Sequence, residues 1–363
     1  MAQNSTFRFG VEIELLVDSP KKHRTWGSLA TDLSEQLAKK AGIPNRVHES
    51  SDYSQWSIVK EITVQDPDGK NPYQYGIELV SPIHTAASLL ALKTDLTKIF
   101  NLLASAASTF TLTKTHRASS HIHISRTPPL TTSELASLAK ATLYFEPALN
   151  ALMPPSRSGD TWTCSSWAKS NRGPDNPSLA GLTLKACLTK LDNAAAAATL
   201  GGDDNTRPLI EIMNLCSPTT SRWGRTHGRR APFVRGKTYK WDFTGLLLLS
   251  SSVIRDDDDD AERGIEGTIE FRQPPGSVSA EEAMGWVTLA VAFVAGAAAG
   301  AGGLQGGFRL EGGEGEGGGG VGDSEEGGCL GELWGVLEQG REVLGWDAED
   351  LGVLKGLFRG ATV

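Results

Sequence analysis

Cysteine is scarce. The four thiols of the 363-residue chain, Cys164, Cys187, Cys216 and Cys329, lie far apart with no CxxC spacing. That excludes a zinc-finger framework and argues for free thiols in a reducing compartment. Positive charge is in deficit. Lys and Arg number 35 against 43 Asp and Glu, a net charge of −8, so the chain as a whole is not built to hold nucleic acid or an anionic membrane. The N-terminus carries no basic stretch followed by an apolar run, the signature of a secretory leader. A cytoplasmic location is the expectation. Long apolar runs are missing with one exception, "WVTLAVAFVAGAAAGAGG" from Trp286. Ala and Gly dominate it and transfer weakly into lipid, so it reads as a buried helix running into a linker. GxxxxGK[ST] is absent, so a nucleotide would need a site of another design.

What the chain does have is interleaved strands and helices. "FRFGVEIELLV" at residues 7–17 is a strand, and Leu29, Leu33 and Leu37 recur at helical spacing over residues 28–41. "YSQWSIVKEITV" and "YGIELVSPIH" alternate as strands, and residues 87–107 are helical. "SSHIHIS" alternates, and "TTSELASLAKATLYFEPALNAL" opens with Thr132 and Glu134 as a helix start. Residues 153–240 are loop-rich. "GTIEFRQPPGS" is a late strand stopped by two prolines, and a helix follows over residues 280–299. The run "DDDDDAER" from Asp256 is a solvated loop. The Gly/Glu-rich stretch at residues 300–328 cannot pack a core and is a flexible linker. The expected organisation is a catalytic domain at 1–299, that linker, and C-terminal helices at 329–363 packing back on the domain. The class is α+β with a largely antiparallel sheet.

The strands share a peculiarity. Residues i and i+2 of a strand point to one face. Glu12 and Glu14 therefore oppose Val11, Ile13 and Leu15, while His121 and His123 oppose Ile122 and Ile124. Glu270 and Arg272 likewise oppose Ile269 and Phe271, and Glu78 sits mid-strand. One strand of this kind is simply the wet side of an antiparallel sheet. The set is different, because carboxylates, imidazoles and a guanidinium replace the Ser, Thr, Lys and Gln of a solvated face. Carboxylates gathered on one surface repel unless cations neutralise them. Hard divalent cations suit such oxygen donors, and Mg²⁺ keeps waters and takes phosphate oxygens as further ligands.

"FGVEIE", "GIELVSPI", "HIHIS" and "TIEFRQPPGS", in this order, resemble the amidoligase family of fungi, itself similar to the carboxylate–amine ligases that include glutamine synthetase and glutamate–cysteine ligase. The resemblance spans about residues 7–290. "YSQWSIVKE" resembles the family's Trp-containing strand, with Glu61 where an Asp is expected, and "MPPSR" is a further shared piece ending at Arg157. The resemblance implies a glutamine-synthetase-like antiparallel sheet whose acidic face holds ATP and two or three Mg²⁺, with helices on the other face. It implies activation of a small-molecule or peptide carboxylate as an acyl phosphate, then attack by an amine. Glu12 and Glu14 become metal ligands, completed by Glu78 and Glu270. His123, ahead of His121, becomes a nitrogen ligand or phosphate contact, and His121 is placed with the nucleotide contacts. Arg272 would hold the transferring phosphoryl group.

Phosphoryl transfer needs positioning and charge neutralisation more than protein nucleophiles, and a guanidinium binds phosphate bidentately. A base must still deprotonate the incoming ammonium, and Glu61 is the candidate. Arg157, Arg172 and Lys237 are candidate nucleotide or substrate contacts. The other cations of the stretch from Arg222 to Lys240, including Arg225, Arg229, Arg230 and Arg235, read chiefly as a solvated loop. Trp162, Trp167, Trp223 and Trp241 read as packing residues rather than adenine platforms. Two rival functions share the residues. A metal-dependent hydrolase could use His-x-His on zinc, though the other histidines stand in no ligand-like spacing. A nucleotide-binding pseudoenzyme of the same fold would keep the face without turnover.

Overall fold

A computed structural model describes residues 6–48, 52–64, 71–105, 108–158, 168–200, 205–217, 233–234, 236–247, 267–300 and 328–360. The "DDDDDAER" run, most of the Gly/Glu segment, Trp162, Trp167, Trp223 and the arginines between 222 and 235 lie outside the described residues.

The strands in chain order are β1 (Thr6–Asp18), β2 (Asn45–Val47), β3 (Trp56–Lys60), β4 (Gln74–Val80), β5 (His84–Thr85), β6 (Thr111–Thr113), β7 (Ser120–Thr127), β8 (Leu215–Cys216), β9 (Phe233–Val234), β10 (Trp241–Asp242) and β11 (Ile269–Phe271). Nine of them form one sheet with the path β10-β11-β7-β1-β4-β3-β2, β5 and β6 also pairing with β1. Its pairings are antiparallel except β2 with β3. The protein is thus mixed α and β, with a largely antiparallel open sheet. β1 is its spine because its odd-numbered positions are apolar throughout from Phe7 to Val17. Phe7, Phe9, Val11, Ile13, Leu15 and Val17 all enter the hydrophobic core.

Helices cover that apolar face. The helix Ala280–Ala298 packs against β1, β7 and the helices Leu89–Ala104 and Thr132–Tyr144. It starts at Ser279, whose hydroxyl accepts from the Glu282 amide at 3.1 Å, satisfying one of the donors a helix start leaves orphaned. It is apolar on every side because it is surrounded on every side. By length and composition it could cross a bilayer, yet 83% of its apolar window is buried inside the protein. Leu330–Leu344 lies along it so closely that a Cβ on Gly340 would stand 1.8 Å from the Ala292 carbonyl oxygen, and one on Gly296 2.1 Å from that of Val336. Two glycines therefore set the separation of these helices.

Several expectations need correction. The helix cap near residue 132 is Thr131, whose hydroxyl accepts from the Glu134 amide at 3.3 Å while the Glu134 carboxylate accepts from the Thr131 amide at 2.8 Å. Thr132 is instead buried. The tryptophan strand is only β3, and the chain leaves it before Glu61. Residues 153–240 hold two helices, Leu184–Leu200 and Arg207–Asn214. Leu184, Cys187, Leu188 and Leu191 give the first its buried stripe, and the alanines after it are the strongest helix formers. That periodicity was readable, but flanking prolines and glycines obscure it.

Candidate metal and phosphate site

The strand register gathers the ionisable side chains. Glu14 of β1 lies opposite Glu78 of β4, and Glu12 lies opposite His121 of β7. His123 lies opposite Glu270 of β11, which in turn faces Asp242 of β10. Directly opposed residues in antiparallel strands point to the same face. One row of carboxylates and imidazoles thus runs across β4, β1, β7, β11 and β10.

Side-chain distances close the row into a cluster. His121 Nδ1 stands 3.4 Å from Glu12 Oε2 and 3.5 Å from Glu270 Oε1, and its Nε2 stands 3.7 Å from Glu14 Oε1. His123 Nε2 is 3.2 Å from Glu12 Oε1 and 3.7 Å from Glu270 Oε1. Arg272 forms an ion pair with Glu270 through its guanidinium, and Glu14 Oε2 accepts from the Ser119 amide at 2.7 Å. Glu14, His121, His123, Asp242, Glu270 and Arg272 are all buried.

Burial on this scale disfavours charge, and the groups respond in two ways. Burial raises Glu78 well above the ordinary carboxylate range, and the neighbouring charges of Glu12, Glu14 and Glu61 add to it. Burial also raises Glu14, with Glu61 adding and His121 and Arg272 only partly offsetting. Asp242 is raised by burial and by Glu270. For Glu12, burial is outweighed by His123 and His121, which hold it well below the usual range. For Glu270, burial is outweighed by Arg272, His123 and His121. His123 is raised, because Glu12 and Glu270 overcome its own burial. The face therefore carries more carboxylate than its cations neutralise, and the surplus sits at Glu14 and Glu78.

A cation fits that surplus. Two triads each bring three ligand atoms within 4.8 Å of one another: Glu12, His121 and Glu270, and Glu14, Glu78 and His121. Octahedral Mg²⁺ places opposite ligands about 4.2 Å apart, so sub-ångström contraction completes the approach. The donors are mostly oxygens, which suits a hard cation better than zinc. His123 stands beside the first triad, its Nε2 facing Glu12 and Glu270.

The remaining candidate residues divide. Glu61, half-buried beyond β3, lies within electrostatic reach of Glu14 and Glu78. Its carbonyl lies over Gly76, where a Cβ would come within 1.9 Å of that oxygen, so only glycine lets the chain pass there. Lys237 likewise acts on Glu78, favouring its charged form. Arg157 is buried, and its guanidinium donates to the Ala118 carbonyl at 2.6 Å and to Ser119 Oγ at 2.9 Å. It holds the segment that leads into β7. Arg172 donates to the Leu182 carbonyl at 3.4 Å, in the approach to the helix Leu184–Leu200. Trp241 stacks on Phe271 with centroids 4.3 Å apart, inside the core. Asp242 was not singled out in the sequence. Alternation of Trp241, Asp242 and Phe243 was its only signal, in a strand of two residues.

Residues 5–172 match the family described as putative amidoligase enzyme. No curated protein matches the chain. The amidoligase match contains Glu12, Glu14, Glu61, Glu78, His121, His123, Arg157 and Arg172, and it stops short of Asp242, Glu270 and Arg272. The match supports an amide-bond-forming ligase, a class that draws on nucleotide and metal and joins a carboxylate to an amine. The register of β11 against β7 brings Glu270 from outside the amidoligase-matched region to the two histidines within it.

Proposed function

We propose that the protein is an ATP- and Mg²⁺-dependent carboxylate–amine ligase that forms an amide through an acyl phosphate, on a glutamine-synthetase-like sheet. The observation that supports this most is the pair of overlapping carboxylate–imidazole triads sharing His121, with Arg272 beside them. Two or three Mg²⁺ on these ligands would neutralise phosphate oxygens of ATP when bound. The substrate carboxylate oxygen attacks the γ-phosphorus, the bond from that phosphorus to the bridging oxygen breaks, and ADP leaves. The amine then attacks the acyl carbon, gives up a proton, and inorganic phosphate departs with the C–O bond electrons.

The chain's own residues set the stage for these steps. Arg272 is paired with Glu270 and feels the charge of Asp242, and in this reading it would hold the transferring phosphoryl group as a charged fork. Glu12, Glu14, Glu78 and Glu270 would be the metal set, with His121, as a neutral imidazole, able to serve a cation in one triad at a time and His123 alongside. Glu61, whose charge is felt by Glu14 and Glu78, is assigned in this reading to take the amine proton. Lys237, whose charge is felt by Glu78, would be the loop cation for the nucleotide, and Arg157 holds the Ala118–Ser119 segment that leads into β7. Residues 1–299 form the catalytic unit in this reading, with the C-terminal helices packed on it. The buried thiols of Cys187 and Cys216 agree with a reducing, cytoplasmic setting. No nucleic-acid or membrane partner is part of the proposal.

The test is ADP release from Mg²⁺–ATP with pools of small acids and amines, comparing wild type with Glu12→Gln and Glu270→Gln. Release that requires one acid and one amine, lost by at least 10²-fold in both variants with far-UV dichroism unchanged, is expected. Full activity in both variants would refute the metal assignment.

A further inference from the structure

One cleft runs outward from the edge of the cluster and shares Glu12 and His123 with it. It occupies about 170 Å³ and is lined by Arg8, Gly10 and Glu12 of β1, His123 and Ser125 of β7, and the Tyr53, Val80 and Ile83 side. Its floor is set by register, Arg8 opposite Ser125 and Gly10 opposite His123. Glu12 and His123 close the inner end. Arg8 stands at the outer end, four residues along the same strand face and about 13 Å away in Cα position.

Three features point to a ligand. Arg8 is an exposed cation with no ion pair among the described residues, unlike Arg126 and Arg272. Gly10 is not forced by its backbone. A Cβ there would meet nothing nearer than Ser81 Oγ at 3.6 Å. Its missing side chain instead keeps the cleft open between Arg8 and Glu12, where glycine in a strand interior admits a close-lying ligand. The volume, finally, compares with the roughly 150 Å³ that accept benzene and falls below the ~300 Å³ of drug-sized pockets. An amino-acid-sized molecule fits there and a whole adenine nucleotide does not.

We propose that Arg8 determines acid specificity: it pairs with a second carboxylate of a small substrate whose reacting carboxylate lies at the Glu12–His123 end. Arg matches carboxylate geometry with two parallel hydrogen bonds, and an acid lacking the second carboxylate leaves the guanidinium without that partner. The assignment rests on the ligase reading for the identity of the reacting end.

The test titrates the protein, with Mg²⁺ and a non-hydrolysable ATP analogue, with matched acids differing by one carboxylate. The pairs are succinate and butyrate, glutarate and valerate, aspartate and β-alanine, glutamate and 4-aminobutyrate. At least one acid with the extra carboxylate is expected to bind ten-fold or more tighter than its partner. Arg8→Ala should erase that advantage, Arg8→Lys should restore part of it, and nucleotide affinity should stay the same in both. Three results overturn the assignment: no discrimination in any pair, discrimination that persists in Arg8→Ala, or loss of nucleotide affinity in Arg8→Ala with acid binding intact. Nucleotide binding in the same samples reports separately on the ligase reading. Its absence from a wild type that discriminates acids through Arg8 would sink that reading alone.

Discussion

Magnesium should reverse the pH dependence of this protein's stability. In the metal-free protein Glu14, Glu78 and Asp242 have folded-state pKa values above the ordinary carboxylate range. A carboxyl raised in this way favours folding fully below its unfolded pKa of about 4 and loses that contribution as pH rises toward the folded value. His123, also raised, acts in the same direction above about 6.5. Glu12 and Glu270 are lowered, so their contribution disappears only as pH falls below the carboxylate range. Between about pH 5 and 8 the metal-free stability should therefore fall with rising pH. Bound Mg²⁺ needs these carboxylates ionised, so its affinity rises with pH, up to about ten-fold per unit for each proton released. At 100 times its dissociation constant it adds about 2.7 kcal/mol. Unfolding entropy near 2.1 cal/mol/K per residue over 363 residues turns that into a Tm rise of roughly 3–4 °C. Differential scanning fluorimetry from pH 5 to 8, with EDTA or with Mg²⁺, reads both slopes. Glu78→Gln provides the internal control: it should raise Tm without metal at pH 8 and erase most of the Mg²⁺ shift. A Tm indifferent to Mg²⁺ across that range, or a Glu78→Gln protein that keeps the full shift, would refute the cation site.

Two further predictions concern what holds the site in place. Replacing Gly340 by Ala puts a methyl 1.8 Å from the Ala292 carbonyl oxygen, so it should cost at least about 1–3 kcal/mol. At Gly335 nothing lies within 4 Å, and the same change should stabilise by about 0.5–1 kcal/mol; urea melts of the two variants test the helix contact. Arg157→Met leaves the Ala118 carbonyl and Ser119 hydroxyl without their charged donor, which should cost about 2–4 kcal/mol. A thermal melt of Arg157→Met within 1 °C of wild type, on the same entropy scale, would show that the guanidinium does not hold β7 in place.

Legibility followed the periodicities. The alternation of "FRFGVEIELLV" named the buried face of β1 and its ionisable face, because a period of two leaves no other assignment. "SSHIHIS" did the same for β7. The short elements were less readable. β10 has two residues, too few for a pattern, and Asp242 went unseen for that reason. The carbonyl and hydroxyl that Arg157 serves were not readable, because an Arg in a loop gives no hint of its backbone partners. The helix Leu184–Leu200 was hidden by its surroundings rather than by its own sequence.

The sequence by itself determined which side chains share a face, since that depends only on strand geometry and neighbours two apart. It also marked the Trp286 run as one that must be kept from water, being apolar all round. Only the tertiary structure decided which faces meet. The pairing of β7 with both β1 and β11 places His121 between Glu12 and Glu270 and puts it in both triads, while His123 faces the same two carboxylates. Register between strands more than a hundred residues apart is a non-local property. It is set by which apolar faces bury together under the Ala280–Ala298 helix, and no local period in the chain encodes it.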